Sequence, residues 1–329
     1  MSVAPLPSKA ATSAVEYPGE QVVPKPSERG TDELVIGFVG PIGSGVSTCA
    51  ELLLDLLRDK FGYDEGRVLK ASELIAQHAS SVGVEIGDIP SARTEKLQSA
   101  GTKLRQRYGA TVVSDLIIAE IASGRSPASK MSEGNQLPAE SRRHVTIIDS
   151  IKHPSEVRQL SSVYRDAFWL IGVFAPPSVR ESRLRTRFSQ PEEVVKAMRI
   201  DEDEQESEGQ KVGKTIELSD YFIRNDQNSK KDAQDSLERF LNVVFGVGVQ
   251  TPTREESAMY AAAAAASKSA CLSRQVGAVV VSEQGEIIGT GCNDVPVFGG
   301  GLYNATHEHD HRCFRWGDGI CHNDHQKQS

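Results

Sequence analysis

Two apolar patterns divide this chain. Glu33–Gly40 (ELVIGFVG) is an unbroken apolar run closed by glycine, and Val145–Asp149 and Ala167–Ala175 repeat the type, which marks parallel strands covered on both faces. Between such runs the period lengthens. Ser47–Asp59 sets Leu52, Leu53, Leu56 and Leu57 on one face, and Ser91–Ala122 does the same with Leu97, Leu104, Leu116, Ile117 and Ile121. Both stretches are therefore expected as helices. Arg67–Lys70 and Tyr221–Asn225 are weaker strand candidates, Lys231–Phe245 is a closing helix, and the polar, Ser/Gly/Pro-rich segment Ser123–Arg143 is expected as a mobile loop. Strands alternating with helices predict a parallel α/β sheet across residues 31–247.

A linker, Val247–Thr253 (VGVQTPT), separates this region from a different pattern. Thr253 followed by Glu256 is a capping box, opening an Ala-rich helix over Glu255–Ser267. Six consecutive alanines allow close approach to a sheet, so this helix is expected to be buried against the strands that follow. Those are Val276–Val281, the polar hairpin Ser282–Glu286, and a second strand ending in Gly291-Cys292-Asn293-Asp294-Val295-Pro296. The organisation read from sequence is a disordered arm (1–30), a first domain (31–247) and a second (248–329).

Composition adjusts this picture. With 329 residues, 38% hydrophobic and 25% charged, the chain is ordinary globular material of two-domain length. A net charge of −8 argues against duplex DNA or an anionic membrane as partner, but leaves a local phosphate site open. Five cysteines (Cys49, Cys271, Cys292, Cys313, Cys321), sparse and odd in number, fit a reducing compartment, so a cytoplasmic location is expected. The longest apolar run, Ala258–Ala266, is about half the span a membrane helix requires. The proline-rich residues 1–30 have no apolar core and do not read as a secretory signal.

The first chemical motif is Gly40-Pro41-Ile42-Gly43-Ser44-Gly45-Val46-Ser47-Thr48, set between a strand and a helix. It keeps the G-x-x-x-x-G-x-[ST] spacing of a phosphate-binding loop (P-loop), in which backbone N–H groups and a helix N-terminus converge on phosphate and Ser47 can reach Mg²⁺. Val46 stands where such loops carry the lysine for the β- and γ-phosphates. A Gly-rich turn that only joins strand to helix is the alternative. Asp149 ends a strand where an acidic residue completes a magnesium site, or it is an ordinary strand-end acid. Arg180, Arg183, Arg185 and Arg187 suit a phosphate-clamping lid, or a solvated basic face balanced by Asp201–Glu208.

The second region supports a resemblance. SACLSRQVGAVVV, GCNDVP and GGGLY, following a P-loop domain, resemble the bacterial anti-phage dCTP deaminases over about residues 33–325. That resemblance implies a nucleotide-kinase-like P-loop domain followed by a cytidine-deaminase-like α/β domain. It also implies an enzyme that turns deoxycytidine nucleotides (dCTP or dCMP) into deoxyuridine nucleotides, with zinc as cofactor and a regulatory nucleotide. Within it Asn293 would bind the deoxyribose hydroxyl, and Ser273 and Arg274 would lie near the substrate phosphate; a turn role for Asn293 is the alternative. His307–His325 resembles the family's insertion before its zinc motifs, and His307, His309, His311 and Cys313 are only weak metal candidates, because their spacing matches no tetrahedral zinc pattern. The sequence contains neither H-x-E nor C-x-x-C, so no catalytic residue can be assigned. The resemblance thus implies a deaminase domain cut short before its metal cage. Two other readings stand beside it: a nucleotide-kinase-like phosphotransferase and a non-catalytic nucleotide-binding module. A homo-oligomer is compatible with all three.

Overall fold

The computed structural model describes residues 32–87, 90–124, 143–188, 190–202, 209–226, 230–322 and 325–326. The expected arm (1–30) and almost all of the expected loop Ser123–Arg143 lie outside them. The chain divides into two compact units, parting between Gly248 and Val249.

The first unit is a five-stranded, all-parallel sheet: β1 (Leu34–Val39), β2 (Glu65–Lys70), β3 (His144–Asp149), β4 (Phe168–Phe174) and β5 (Tyr221–Arg224), in the order β2-β3-β1-β4-β5. Every residue of β1 is buried, as its unbroken apolar run requires. Its side chains alternate. Leu34, Ile36 and Phe38 join a core with helices α1 (Val46–Phe61) and α9 (Lys230–Val244); Val35 and Val39 face helices α2 (Ala71–His78), α4 (Val112–Ser123), α5 (Pro154–Tyr164) and α8 (Val212–Ile216). Two helical layers thus enclose one sheet. The remaining helices of this unit are α3 (Pro90–Tyr108), α6 (Pro177–Leu184) and α7 (Pro191–Glu202). No helix among the described residues is long and apolar enough to cross a membrane.

The single helix expected over Ser91–Ala122 is two, α3 and α4. Gly109 breaks it, with φ of 105°, a left-handed value that glycine adopts without steric cost. The short helix α2 escaped the periodicity, because eight residues carry only two buried positions, Ala71 and Leu74.

The second unit holds helix α10 (Arg254–Ala266) and the antiparallel pair β6 (Gly277–Val281) and β7 (Ile287–Cys292). The capping box is formed: Thr253 Oγ1 accepts from Glu256 N, and Glu256 Oε2 accepts from Thr253 N. Helix and hairpin pack together, with Ala262 and Ala266 of α10 against Gly277 of β6. At Gly277 a Cβ would overlap the backbone of Ala262 and Ala266, so the hydrogen side chain sets the approach. The expectation of a buried helix is corrected here. Only Ala265 of α10 is buried, and Met259 and Tyr260 stand exposed, because the hairpin covers one face alone.

Candidate functional site

All five strands of the larger sheet run the same way, so the loops after them collect at one edge. In open parallel sheets ligands bind in the crevice outside the strands' carboxyl ends, where the connections diverge to the two sides. Here the order β3-β1-β4 places that point at the end of β1. A cavity of about 400 Å³ opens there, lined by the Gly40–Thr48 loop, Ala71 and Ser72 after β2, Asp149, Ser150 and Lys152 after β3, and Arg183 and Arg187 of the α6 segment.

The loop is built for close approach. Gly43 and Gly45 have φ of 83° and 92°, and Gly45 caps α1, whose first N–H groups face the cavity end of the sheet. Neighbours hold the loop's carbonyls: Asn225 Nδ2 donates to Ser44 O at 2.7 Å, and Arg183 Nη1 donates to Gly43 O and Ser44 O at 3.3 Å. Two of its amides are also engaged, Ile42 N by Asp201 Oδ2 and Ser44 N by Pro41 O. Of the residues named from sequence, Gly40, Gly43, Gly45, Val46, Ser47, Thr48 and Asp149 line one cavity, while Ser44 is buried behind the loop.

Ser47 and Asp149 meet. Ser47 Oγ donates to Asp149 Oδ2 at 2.7 Å, and the carboxylate is 6% exposed. The strand-end acid is therefore turned into the cavity rather than to solvent. Ser150, which follows, has φ of 74°, and its Oγ donates to Asp149 Oδ1. A non-glycine residue in that region is strained and needs surrounding structure to hold it; Ile151 N, bonded to Phe38 O at 2.8 Å, supplies part of that hold.

The arginine cluster splits. Arg183 and Arg187 line the cavity, Arg185 pairs with Glu181 on the exposed side of α6, and Arg180 is buried. Beneath the loop, burial pushes the Cys49 thiol up to about 11, opposed by the Arg183 charge.

Other residues around the cavity carried no sequence signal. Arg105 of α3, 2% exposed, donates through Nε and Nη2 to Glu156 Oε1, while Glu156 Oε2 accepts the backbone N–H groups of Lys152 and His153. One buried carboxylate thus ties α3 to the turn after β3. Lys152 Nζ donates to Gly40 O at 3.0 Å and to Asp201 Oδ1 at 2.7 Å, and Asp201 Oδ2 accepts from Ile42 N. Asp201, read from sequence as the start of an acidic run balancing a basic face, is 1% exposed and bonds the loop through Ile42 N. These partners come from elements far apart in sequence, which no local spacing could reveal.

In the second unit one of the expected substrate residues, Asn293, is engaged within the protein. Asn293 Oδ1 accepts from Val276 N at 2.7 Å and its Nδ2 donates to Arg274 O at 2.9 Å, so the amide braces the entry to β6. Ser273 and Arg274 lie exposed in the turn before it. Among the described residues no three His, Cys, Asp or Glu side chains gather into a group able to hold a metal ion. His307 Nδ1 engages Asn304, Tyr303 packs edgewise on His307 and His311, His309 is exposed, and Cys313 opens a 3-10 turn. The segment is organised instead by Arg312, bound to Asp310 and Asp294, which holds the Asp310 carboxyl well below the usual range. The zinc-deaminase expectation finds no support in these residues.

No family model matches the chain. A UPF0200 protein of Saccharolobus islandicus is 25% identical over 196 residues, which is 59% of this chain and 85% of that protein. Among solved structures, TT1252 from Thermus thermophilus is 21% identical and covers 66% of this chain and 99% of its own, with a TM-score of 0.37. Shikimate kinase from Acinetobacter baumannii is 15% identical over 66% of this chain and 96% of its own, with a TM-score of 0.36.

Proposed function

We infer that the first unit binds a nucleoside triphosphate with Mg²⁺ and serves as a small kinase-like phosphotransferase module. The observation that carries this is the Ser47–Asp149 pair at the mouth of the glycine loop, held beside a strained Ser150. Magnesium is bound by few protein groups and by substrate phosphates, so one hydroxyl and one carboxylate at this edge suit it. Ser47 Oγ and Asp149 would hold the ion, which when bound neutralises charge on the phosphate oxygens. The loop amides and the N-terminus of α1 would cradle the phosphates, with Arg183 and Arg187 facing them from α6 and the residues after it.

A second feature favours phosphoryl transfer over the mere holding of a nucleotide. The cavity continues beyond the loop to Ser72, Ile75, Thr94, Leu97, Gln98 and Arg105. Gln98 Oε1 and Arg105 Nη1, both in buried residues, have no hydrogen-bond partner among the described residues. Buried polar atoms are ordinarily satisfied, so an acceptor and a donor left open here suit a polar phosphoryl acceptor.

Isothermal titration of the full chain with ATP, GTP and dCTP, with and without Mg²⁺, tests the reading. Magnesium-dependent binding of at least one is expected. Asp149→Asn should weaken it about tenfold or more while the melting temperature stays near that of the wild type. Absence of heat with all three nucleotides removes the proposal; an Asp149→Asn chain that cannot fold makes the residue a structural acid instead.

A further inference from the structure

We propose that Lys152 supplies the cation that the phosphate loop lacks. The inference rests on the nucleotide-binding reading above and deepens it. Val46 occupies the lysine position of the motif, and its side chain turns back over the loop: a Cβ placed on Gly40 would lie 2.9 Å from Val46 Cγ2. A lysine at position 46 would start along this path toward the first glycine. An ammonium already sits there. Lys152 Nζ reaches the carbonyl of Gly40 at 3.0 Å, from the turn after β3 rather than from the start of α1.

The placement is supported on both sides. Glu156 accepts the N–H groups of Lys152 and His153 and is itself fixed by Arg105, so the backbone carrying Lys152 is anchored by a buried pair. At the other end Asp201 Oδ1 holds the ammonium at 2.7 Å, with 2% of its side chain exposed, and its second oxygen takes the Ile42 N–H. An ammonium has three donors. Two are engaged, and Lys152 lines the same cavity as Ser47 and Asp149, which leaves the third for a phosphate oxygen. Asp201 then acts as a resident counter-ion, neutralising the cation until phosphate arrives. Arg183, a further cation at the loop, touches the carbonyls of Gly43 and Ser44, so these two positive groups grip different parts of it.

The test is a double-substitution cycle on the full chain, read by titration with Mg²⁺–ATP and with AMP. Lys152→Met, which keeps the length of the side chain, should weaken ATP about tenfold or more while changing AMP less than about threefold, because one charge-assisted contact to the outer phosphates is lost. Val46→Lys should restore ATP binding in the Lys152→Met background and add little to the wild type, since both ammonium groups compete for one place. Thermal denaturation of each variant separates loss of contact from loss of fold. If wild-type chain binds ATP and Lys152→Met binds it equally well, this proposal is overturned while the nucleotide site stands. A Lys152→Met defect that Val46→Lys leaves uncorrected, with AMP weakened as much as ATP, makes Lys152 a structural tie and also overturns it. A wild-type chain that binds no nucleotide overturns both.

Discussion

At the scale of single residues, the site contrasts groups made available with groups withheld. Asp149 is pulled inward by two hydroxyls and kept in the cavity, whereas Cys49, two residues past Ser47 in α1, is buried. Its folded-state thiol sits at about 11 against an ordinary 9.0, so the folded chain holds that proton more tightly than the unfolded one. The resulting stability is complete below the ordinary thiol value and is lost as pH rises through the interval up to about 11. Urea midpoints measured across that interval should fall for the wild type and stay level for Cys49→Ala, after allowance for the smaller side chain. What sequence could say at this scale was uneven. The Gly40–Thr48 spacing, Ser47 and Asp149 were legible because each is fixed by its position next to a strand. Lys152, Glu156, Arg105 and Asp201 were silent, because a lysine or glutamate in a polar stretch looks the same whether it faces solvent or a loop distant in sequence.

At the scale of elements, the buried strands were the clearest signals, since a short apolar run closed by glycine or aspartate has few other uses than a strand covered on both faces. Their ends moved by only a residue or two. The helices around the cavity were harder: Gly109 divides what periodicity joined, and α2 is too short to show a period. In the second unit the alanine run was readable as a helix but not as an exposed one. Its contact with the hairpin depends on Gly277, where any side chain meets backbone of α10. Gly277→Ala should therefore destabilise the second unit by about 1–3 kcal/mol, the usual cost of overpacking a close contact. Hydrogen exchange on α10 and β6 would read the change, and unchanged protection would show that the helix yields without cost.

At the scale of the whole molecule, the two units differ in kind. The first encloses an apolar cluster on each face of a five-stranded sheet, with two smaller ones beside them, whereas the second has a single buried apolar side chain among its described residues, Ala265. Its hairpin leaves Val280 61% and Ile288 70% exposed, with Val281 and Ile287 beside them. Two strands with no third partner among the described residues, and with apolar side chains exposed, favour self-association. Sedimentation velocity over a range of concentrations should show association of the wild type that is reduced by the double change Val280→Lys and Ile288→Lys. A monomer at every concentration would contradict this.

The proposed phosphate grip is divided between the start of α1 and the turn after β3. No short segment of this chain contains the whole set of groups, so a peptide carrying only the glycine loop would lack the proposed cation, the proposed magnesium acid and the anchoring carboxylate. Recognition here belongs to the assembled sheet. By linkage, whatever occupies the cavity favours the assembled sheet in return: at a hundred times its dissociation constant a ligand would add about 2.7 kcal/mol to the free energy of unfolding. Occupancy would then report on the folding of the entire first unit, and a substitution far from the crevice that loosened β3 against β1 would register first as a loss of affinity.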